Sequence, residues 1–349
     1  MCQDTCIIIG MGLYSMREKT EKVNIGDIAK MAGVSKAAVS RYFNHGYISD
    51  EKRELIRKVV EETGYQPSIQ AAHLRTKKTN TVGVIVPKLS SYSIGKLVDG
   101  LLTVFNENKY YTLLAVTQND PEKELEYLHA FQNHSVDGVI LMGTVLTPKH
   151  KELIRDLQVP VVITGQHFNG FNCVYNDDYN AMYEITKKVL EKGRKKPVYI
   201  GVTQRDVAVG KERFEGFRDA LKEYDLEHLA ARSVICSGFD EQAGYDATEE
   251  LYKLYPDMDA AICATDTLAF GASRYLELAG ISLPGQVLVS GIGGSTLALH
   301  AGYPILTAKY YYQQAGKISS KLLLDMMNGA VTVQSNMKLG FDIIDDING

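Results

Sequence analysis

The sequence predicts an α/β protein with a small helical head in front of a larger body made of two parallel-sheet lobes. Three observations lead there. Residues 23–63 carry apolar residues at helical spacing, in short runs broken by Gly33 and by Asn44-His45-Gly46. From Thr81 onward, short apolar strands alternate with amphipathic helices, the pattern of parallel sheets covered on both faces. The 349 residues exceed one ordinary core and are enough for two or three.

Taken in order, residues 1–21 show no periodicity and read as an unstructured extension, with Met16 as a second candidate start. Residues 22–66 read as three helices. Ile25, Ile28, Ala29 and Ala32 share one face of the first, and Gly33 ends it as a C-cap. Ser35 caps a second helix through Ala38, Val39 and Tyr42. Ser49-Asp50 opens a third, with Leu55, Ile56, Val59 and Val60 on one face and Gly64 closing it. Within 67–80, Ser68 can cap a brief helix, Ile69–Leu74, before the polar linker Arg75–Asn80. In the body, 81–349, the expected strands are Val82–Val86, Thr112–Val116, Gly138–Met142, Val159–Thr164, Val198–Val202, Ala260–Ala264 and Val287–Ser290. Glu122–His134, Asn180–Lys192, Arg213–Tyr224 and Leu268–Ala279 are helical patterns between them, and two sheets of five or six strands account for the length.

Composition is globular, with 45% hydrophobic and 23% charged residues. No apolar run approaches the ~18 residues of a membrane helix. The nearest, Ile7–Tyr14, lacks a basic start, so neither a span nor a signal peptide is expected, and a cytoplasmic location is. The five cysteines are odd in number, and Cys173, Cys236 and Cys263 sit in apolar runs, which suits free buried thiols. Cys2 and Cys6 have no second Cys or His pair, so no metal site and no cofactor are expected. The first 80 residues hold 13 Lys and Arg against 9 Asp and Glu, and the rest 25 against 33. A basic head on an acidic body fits a nucleic-acid module joined to a part that need not touch DNA, although ordinary surface variation gives similar figures.

Enzyme motifs are absent. There is no Gly-x-Ser-x-Gly, no His-Glu-x-x-His and no phosphate-binding Gly-Lys-Ser/Thr loop. Asp177 and Asp178 are chain neighbours, not the pair about 5–9.5 Å apart that glycoside hydrolysis needs. Gly291-Ile292-Gly293-Gly294 follows a strand but lacks the third glycine and acidic strand end of a dinucleotide site. No enzymatic activity is expected.

The first two helices read as a helix-turn-helix, whose second helix enters the major groove of DNA. That helix begins Ser35-Lys36-Ala37-Ala38-Val39-Ser40-Arg41. Ala38 and Val39 pack inward, while Ser35, Lys36, Ala37, Ser40 and Arg41 face the groove or the phosphates. Lys36 and Arg41 can donate to guanine O6 and N7, and Ala37 can meet a thymine methyl. Asn24 and Asn44, at the two ends of the motif, complete the contacts expected on double-stranded DNA.

The run Val23–Arg41, continued by Ile48-Ser49 and Gly64-Tyr65-Gln66-Pro67, resembles the signature of lactose-repressor (LacI) family regulators, and the likeness extends over about residues 22–345. It implies a homodimer on a near-palindromic operator, a hinge helix at Ile69–Leu74, and Leu74 as the wedge in the minor groove. Ser68 and Ala72 depart from the family's usual asparagine and arginine there. The body is implied to resemble periplasmic sugar-binding proteins, with an N-lobe at about 81–175 and 310–336, a C-lobe at about 176–309 and 337–349, and three crossings between them. A small carbohydrate effector then binds beyond the carboxyl ends of the strands.

On that resemblance the effector contacts are expected from Lys88, Tyr92, Gln166, Tyr175, Arg213, Phe239, Thr265 and Asp266. Arg213 is implied to donate to ligand hydroxyls, Thr265 and Asp266 to hold others, and Phe239 to stack on a sugar ring. A salt bridge is the plain alternative for Arg213, and core packing for Phe239. Gly293 stands where many sugar-responsive members carry an aspartate. The runs Cys263–Ser273, Tyr175–Asp178 and Asp206–Lys211 look most like the trehalose-operon repressor branch, which favours trehalose 6-phosphate or a related disaccharide. The basic residue of that branch near Gly165 and Gln166 is missing, which keeps sucrose-type regulators open. A sugar-binding transport or sensor protein without promoter control is the other reading.

Overall fold

The computed structural model describes residues 23–44, 46–65, 78–133, 136–299, 302–331 and 333–345. The chain divides into two units, Met1–Lys77 and Lys78–Gly349.

The first unit is built from α1 (Ile25–Met31), α2 (Lys36–Phe43) and α3 (Asp50–Thr63). Its helix ends are written in local sequence. Asn24 Oδ1 accepts from Gly26 N at 2.8 Å and Asp27 N at 3.3 Å, and Asp27 Oδ2 accepts from Asn24 N at 2.9 Å, a reciprocal capping box. Ser35 Oγ accepts from Ala38 N at 3.2 Å. Gly64 sits at φ 63°, closing α3 in the left-handed region that glycine enters without strain. Ile28, Val39 and Ile56 fill the core with no exposure. Leu55 is 43% exposed rather than inward: it lies one position, roughly 100° of helix, from Ile56. The expected helix Ile69–Leu74 lies outside the described residues.

The second unit begins with β1 (Thr81–Val86), α4 (Tyr92–Glu107), β2 (Tyr111–Val116), α5 (Pro121–Asn133), β3 (Gly138–Leu141), α6 (Pro148–Asp156), β4 (Val161–Thr164) and β5 (Asn172–Asn176). It continues with α7 (Asp178–Glu191), β6 (Pro197–Val202), α8 (Arg213–Glu223), β7 (Ser233–Cys236), α9 (Glu241–Leu254), β8 (Ala260–Cys263), α10 (Asp266–Leu278) and β9 (Leu288–Gly293). The last elements are α11 (Thr296–Leu299), β10 (Leu306–Tyr310), α12 (Tyr312–Met327), β11 (Asn336–Leu339) and β12 (Phe341–Ile344). They form two six-stranded sheets, ordered β11-β5-β4-β3-β1-β2 and β12-β10-β9-β8-β6-β7. All pairings are parallel except β10 with β12.

Why the strands read as unbroken apolar runs is plain in β1. Val82, Val84 and Val86 pack into the layer of α4 and α12, and Ile85 packs with Leu128 and Ile154 on the opposite layer. Both faces are buried, so alternation disappears from the sequence. In the second sheet, α7 and α8 pair on one side and α9 and α10 pair with each other. Five strands went unread: β5, β7, β10, β11 and β12. They are four or five residues long, and β11 (Asn-Met-Lys-Leu) and β12 (Phe-Asp-Ile-Ile) are edge strands with little burial.

The chain changes sheet three times, after β5, after β10 and after β11. The third change falls between Leu339 and Phe341, later than the 336/337 boundary expected, because β11 stays paired with β5 through Leu339. Side chains tie the crossings together. Tyr310 Oη donates to Asp178 Oδ1 at 3.1 Å, Lys338 Nζ lies 3.4 Å from Asp177 Oδ1, and Tyr311 Oη donates to Asp342.

Candidate functional site

On the first unit, α2 presents Lys36, Ala37 and Arg41 as exposed side chains, with Ser40 half-buried and Ala38 and Val39 buried against α1. Three other expected DNA contacts carry local structure. Asn24 and Ser35 cap α1 and α2, and Asn44 Nδ2 donates to Ser40 O at 2.6 Å, closing the end of α2. An accepting hydroxyl keeps its own O–H, so Ser35 can cap and still donate outward. Leu74 lies outside the described residues. Tyr47, between α2 and α3, is 92% exposed. Arg57 is held by Glu54 and Glu61, both at 2.6 Å, within α3.

On the second unit, a cavity of about 600 Å³ lies at the carboxyl ends of strands from both sheets. That is the size range of small-molecule sites. Seven of the eight expected effector residues line it: Lys88 and Tyr92 before and at the start of α4, Gln166 after β4, Arg213, Phe239 before α9, and Thr265 and Asp266 at the start of α10. Tyr175 does not. On β5 its ring tilts against His167, at 5.3 Å between centroids, within the apolar layer containing Phe171 and Cys173. Strand alternation explains the correction: neighbouring Asn176 takes the cavity side instead.

Arg213 is positioned by an unusual turn. Residues Val207–Glu212 form a π-helical turn capped by Asp206, whose side chain accepts from Val209 N at 2.9 Å. Lys211 N donates to Asp206 O at 3.0 Å, the i to i+5 bond of that turn. Gly210 permits it, since a Cβ there would lie 2.0 Å from Thr203 O. The turn delivers Arg213 into a buried pair, with Nε 2.8 Å and Nη2 2.6 Å from Asp178 Oδ1, and Nη1 donating to Ala264 O. Burial opposes the guanidinium charge, but Asp178, Tyr310 and Tyr312 together outweigh it and hold the pKa above the ordinary arginine value. Salt bridge and cavity lining therefore coexist: these bonds use three of five N–H donors.

Asp266 is equally built in. It accepts from Ser295 N at 2.7 Å and from Thr307 Oγ1 at 2.6 Å, while burial pushes its pKa up. Gly293 stands against it at φ 147°, where a Cβ would fall 3.1 Å from Asp266 Oδ2. A side chain at 293 would be strained at this φ and would close on Asp266. Gln166 Nε2 donates to Gly143 O and, at 3.3 Å, to Thr144 O, fixing the loop after β3. Beneath that loop, the fully buried His150 and Glu124 lie 3.1 Å apart. Across the cavity, Lys88 Nζ sits 5.4 Å from the centre of the Phe239 ring. Burial lowers the Lys88 pKa and Asp240 partly offsets this. Burial also raises Asp206 to about 6.

Asp178, Asn176, Asp206 and Asp240 are lining residues that the sequence reading did not pick out. Asp178 and Asp206 had a signal, as acidic residues at the starts of helices behind strands. Asn176 had none, because its face depends on the register of β5. Cys173, Cys236 and Cys263 are free and buried. No cluster able to hold a metal ion occurs among the described residues, and no helix among them is long and apolar enough to cross a membrane.

Comparison with known proteins places this geometry. Residues 24–68 match the family of bacterial regulatory proteins described as the lacI family. Residues 79–332 match periplasmic binding proteins and the sugar binding domain of the LacI family. A sucrose operon repressor of Staphylococcus xylosus is 32% identical over 89% of this chain and 96% of its own length. The transcriptional regulator TreR of Salmonella typhimurium is 30% identical over 88% and 95%. Among solved structures, a CelR–cellobiose complex superimposes with TM-score 0.72 at 25% identity, covering 94% of this chain and all of that one. The lac repressor dimer bound to operator gives TM-score 0.83 at 18% identity, over 93% and 98%, a likeness of fold.

Proposed function

This chain belongs to the LacI family of bacterial regulatory proteins, and from that premise we propose how its parts work together. It is a DNA-binding transcriptional repressor of the kind that governs sugar operons. Two heads of a homodimer read the half-sites of a near-palindromic operator, since a two-fold dimer matches a two-fold site. In each head, Lys36, Ala37, Ser40 and Arg41 are our choice for base and phosphate contacts. Leu74 is our choice for the minor-groove wedge, an apolar side chain that kinks DNA by unstacking a base step.

The input is a small carbohydrate. The observation that carries this is the cavity itself, which joins the aromatic face of Phe239 to fixed polar groups, Arg213, Gln166 and Asp266, from both sheets. A ring face for stacking and oriented donors and acceptors for hydroxyls are what sugar recognition needs. CelR, of similar fold, is solved with cellobiose. The sugar acts on DNA binding only through unequal affinity for two arrangements of the lobes.

The test is a gel-shift titration of full-length protein on an operator selected from random DNA, with and without sugars. The bound sugar is expected to change operator affinity by at least about fivefold, the lower end of ordinary allosteric coupling. Phe239→Ala should move the sugar dose curve to higher concentration and leave sugar-free operator binding in place. Leu74→Ala should weaken operator binding far more than random-DNA binding; equal losses would remove the wedge. An operator affinity that no sugar alters would remove the sugar input.

A further inference from the structure

We infer that the cavity selects an uncharged polyhydroxy sugar and rejects the phosphorylated form of the same sugar. This rests on the reading of the cavity as the effector site and specifies its ligand.

The charges on the wall come first. Lys88, Arg213 and Arg274 are its cations, against Asp178, Asp206, Asp240, Glu241 and Asp266. None of the three cations is placed as a phosphate clamp. Arg213 has two nitrogens on the Asp178 carboxylate at 2.6 and 2.8 Å. Arg274 is exposed on α10. Lys88 faces the Phe239 ring and feels Asp240. Phosphate sites work by bringing several strong donors onto one anion, often a bidentate arginine. Here the cations are dispersed and outnumbered.

Of the helix N-termini, the other common anion holders, that of α4 lines the cavity with Ser90, Ser91 and Ser93 and carries no carboxylate, whereas four other elements do carry one. Asp240 caps α9 by accepting from Ala243 N at 2.8 Å, and Asp206 caps the turn before α8. Asp266 stands in the first turn of α10, and Asp178 in that of α7. A carboxylate already occupies the positive end of each of these elements.

The unmet hydrogen-bonding capacity points the same way. Asn176 is 92% buried, as its 8% exposure shows, and its Oδ1 has no hydrogen-bond partner among the described residues. It lines the cavity. Gln166 commits its amide nitrogen to Gly143 O and Thr144 O, so what it can offer a ligand is its acceptor oxygen. Asn176 Oδ1 and Gln166 Oε1 both ask for donors. Sugar hydroxyls donate; a phosphate dianion has none to give. A sugar phosphate keeps its other hydroxyls, so the discrimination lies at one position: replacing the hydroxyl that reaches such an acceptor leaves it unmet at a cost of about 1–3 kcal/mol.

The experiment is calorimetric titration of the full-length protein with matched pairs: sucrose, trehalose, glucose and fructose, each beside its 6-phosphate. For the sugar that binds, phosphorylation should weaken binding at least tenfold, and raising NaCl from 50 to 500 mM should change the affinity of the neutral sugar less than twofold. Gln166→Arg, which adds a cation beside the cavity, should narrow or reverse the preference. A 6-phosphate that binds as tightly as its parent, or more tightly, overturns this inference and leaves the sugar-effector reading standing. If neither member of any pair binds, the sugar-effector reading falls and takes this inference with it.

Discussion

At the scale of single residues, Arg213 and Asp178 form a buried pair on the cavity wall. Their separation of 2.6 Å in a buried setting makes the pair costly to break from one side. Removing one partner of a buried ion pair costs about 3–5 kcal/mol, because the other charge stays behind unpaired. Arg213→Ala is therefore expected to lower the denaturation midpoint of the protein as well as its sugar response, and the double change with Asp178→Asn to recover part of the stability. Urea unfolding of the three proteins checks it; a single mutant as stable as the parent would contradict the pairing. Asp206 makes a second case. Burial raises its pKa to about 6 from an ordinary 3.8, so between those values the folded state holds more protons than the unfolded one. Stability must then fall as pH rises from about 4 to 6, by roughly 3 kcal/mol when complete. Asp206→Asn retains the cap on Val209 N and abolishes the titration. Its midpoint at pH 7 should exceed that of the parent, and its pH slope across the window should be shallower.

At the scale of elements, the recognition helix separates two kinds of residue that look alike in sequence. Ser35 and Lys36 are adjacent and both polar, but Ser35 closes the helix end while Lys36 projects from it. Losing an N-cap costs about 1 kcal/mol of helix stability. Losing a phosphate or base contact leaves the fold alone. Ser35→Ala should thus lower the thermal midpoint of the head, whereas Lys36→Ala should leave it unchanged, weaken operator binding and reduce its salt dependence. Thermal melts alongside DNA titrations at two salt concentrations distinguish them. The π turn before Arg213 belongs to this scale too. Its composition, Val-Ala-Val-Gly-Lys-Glu, looks like an ordinary helix start, and only the close approach of Gly210 to Thr203 O marks the wider turn.

Across the whole molecule, three crossings join the two sheets, and Asp177, Asp178, Tyr310, Tyr311, Lys338 and Asp342 link them by side chain. Any change in lobe arrangement passes through these ties. The cavity sits directly above, with Asp178 shared between the crossing network and Arg213. Cavity wall and crossing network thus meet at one carboxylate.

The sequence by itself determined the helix-turn-helix, the alternation of strands and helices, and seven of the residues that line the cavity. Each of these is local: a cap, a glycine at a helix end, an apolar run, a polar residue just beyond a strand. Lys88 and Gln166 were legible because strand ends predict where side chains gather, and Phe239, Thr265 and Asp266 because the chain resembles its family there. What only the tertiary structure decided depends on register and on partners far along the chain. Tyr175 turned away and Asn176 turned inward because a strand's period of two makes one residue's difference a change of face. Arg213 proved to be both anchored and available, and Gly293 proved to be room for Asp266. Five strands of four or five residues emerged because short segments are recruited by neighbours already in place, β7, β11 and β12 at sheet edges and β5 and β10 between two partners.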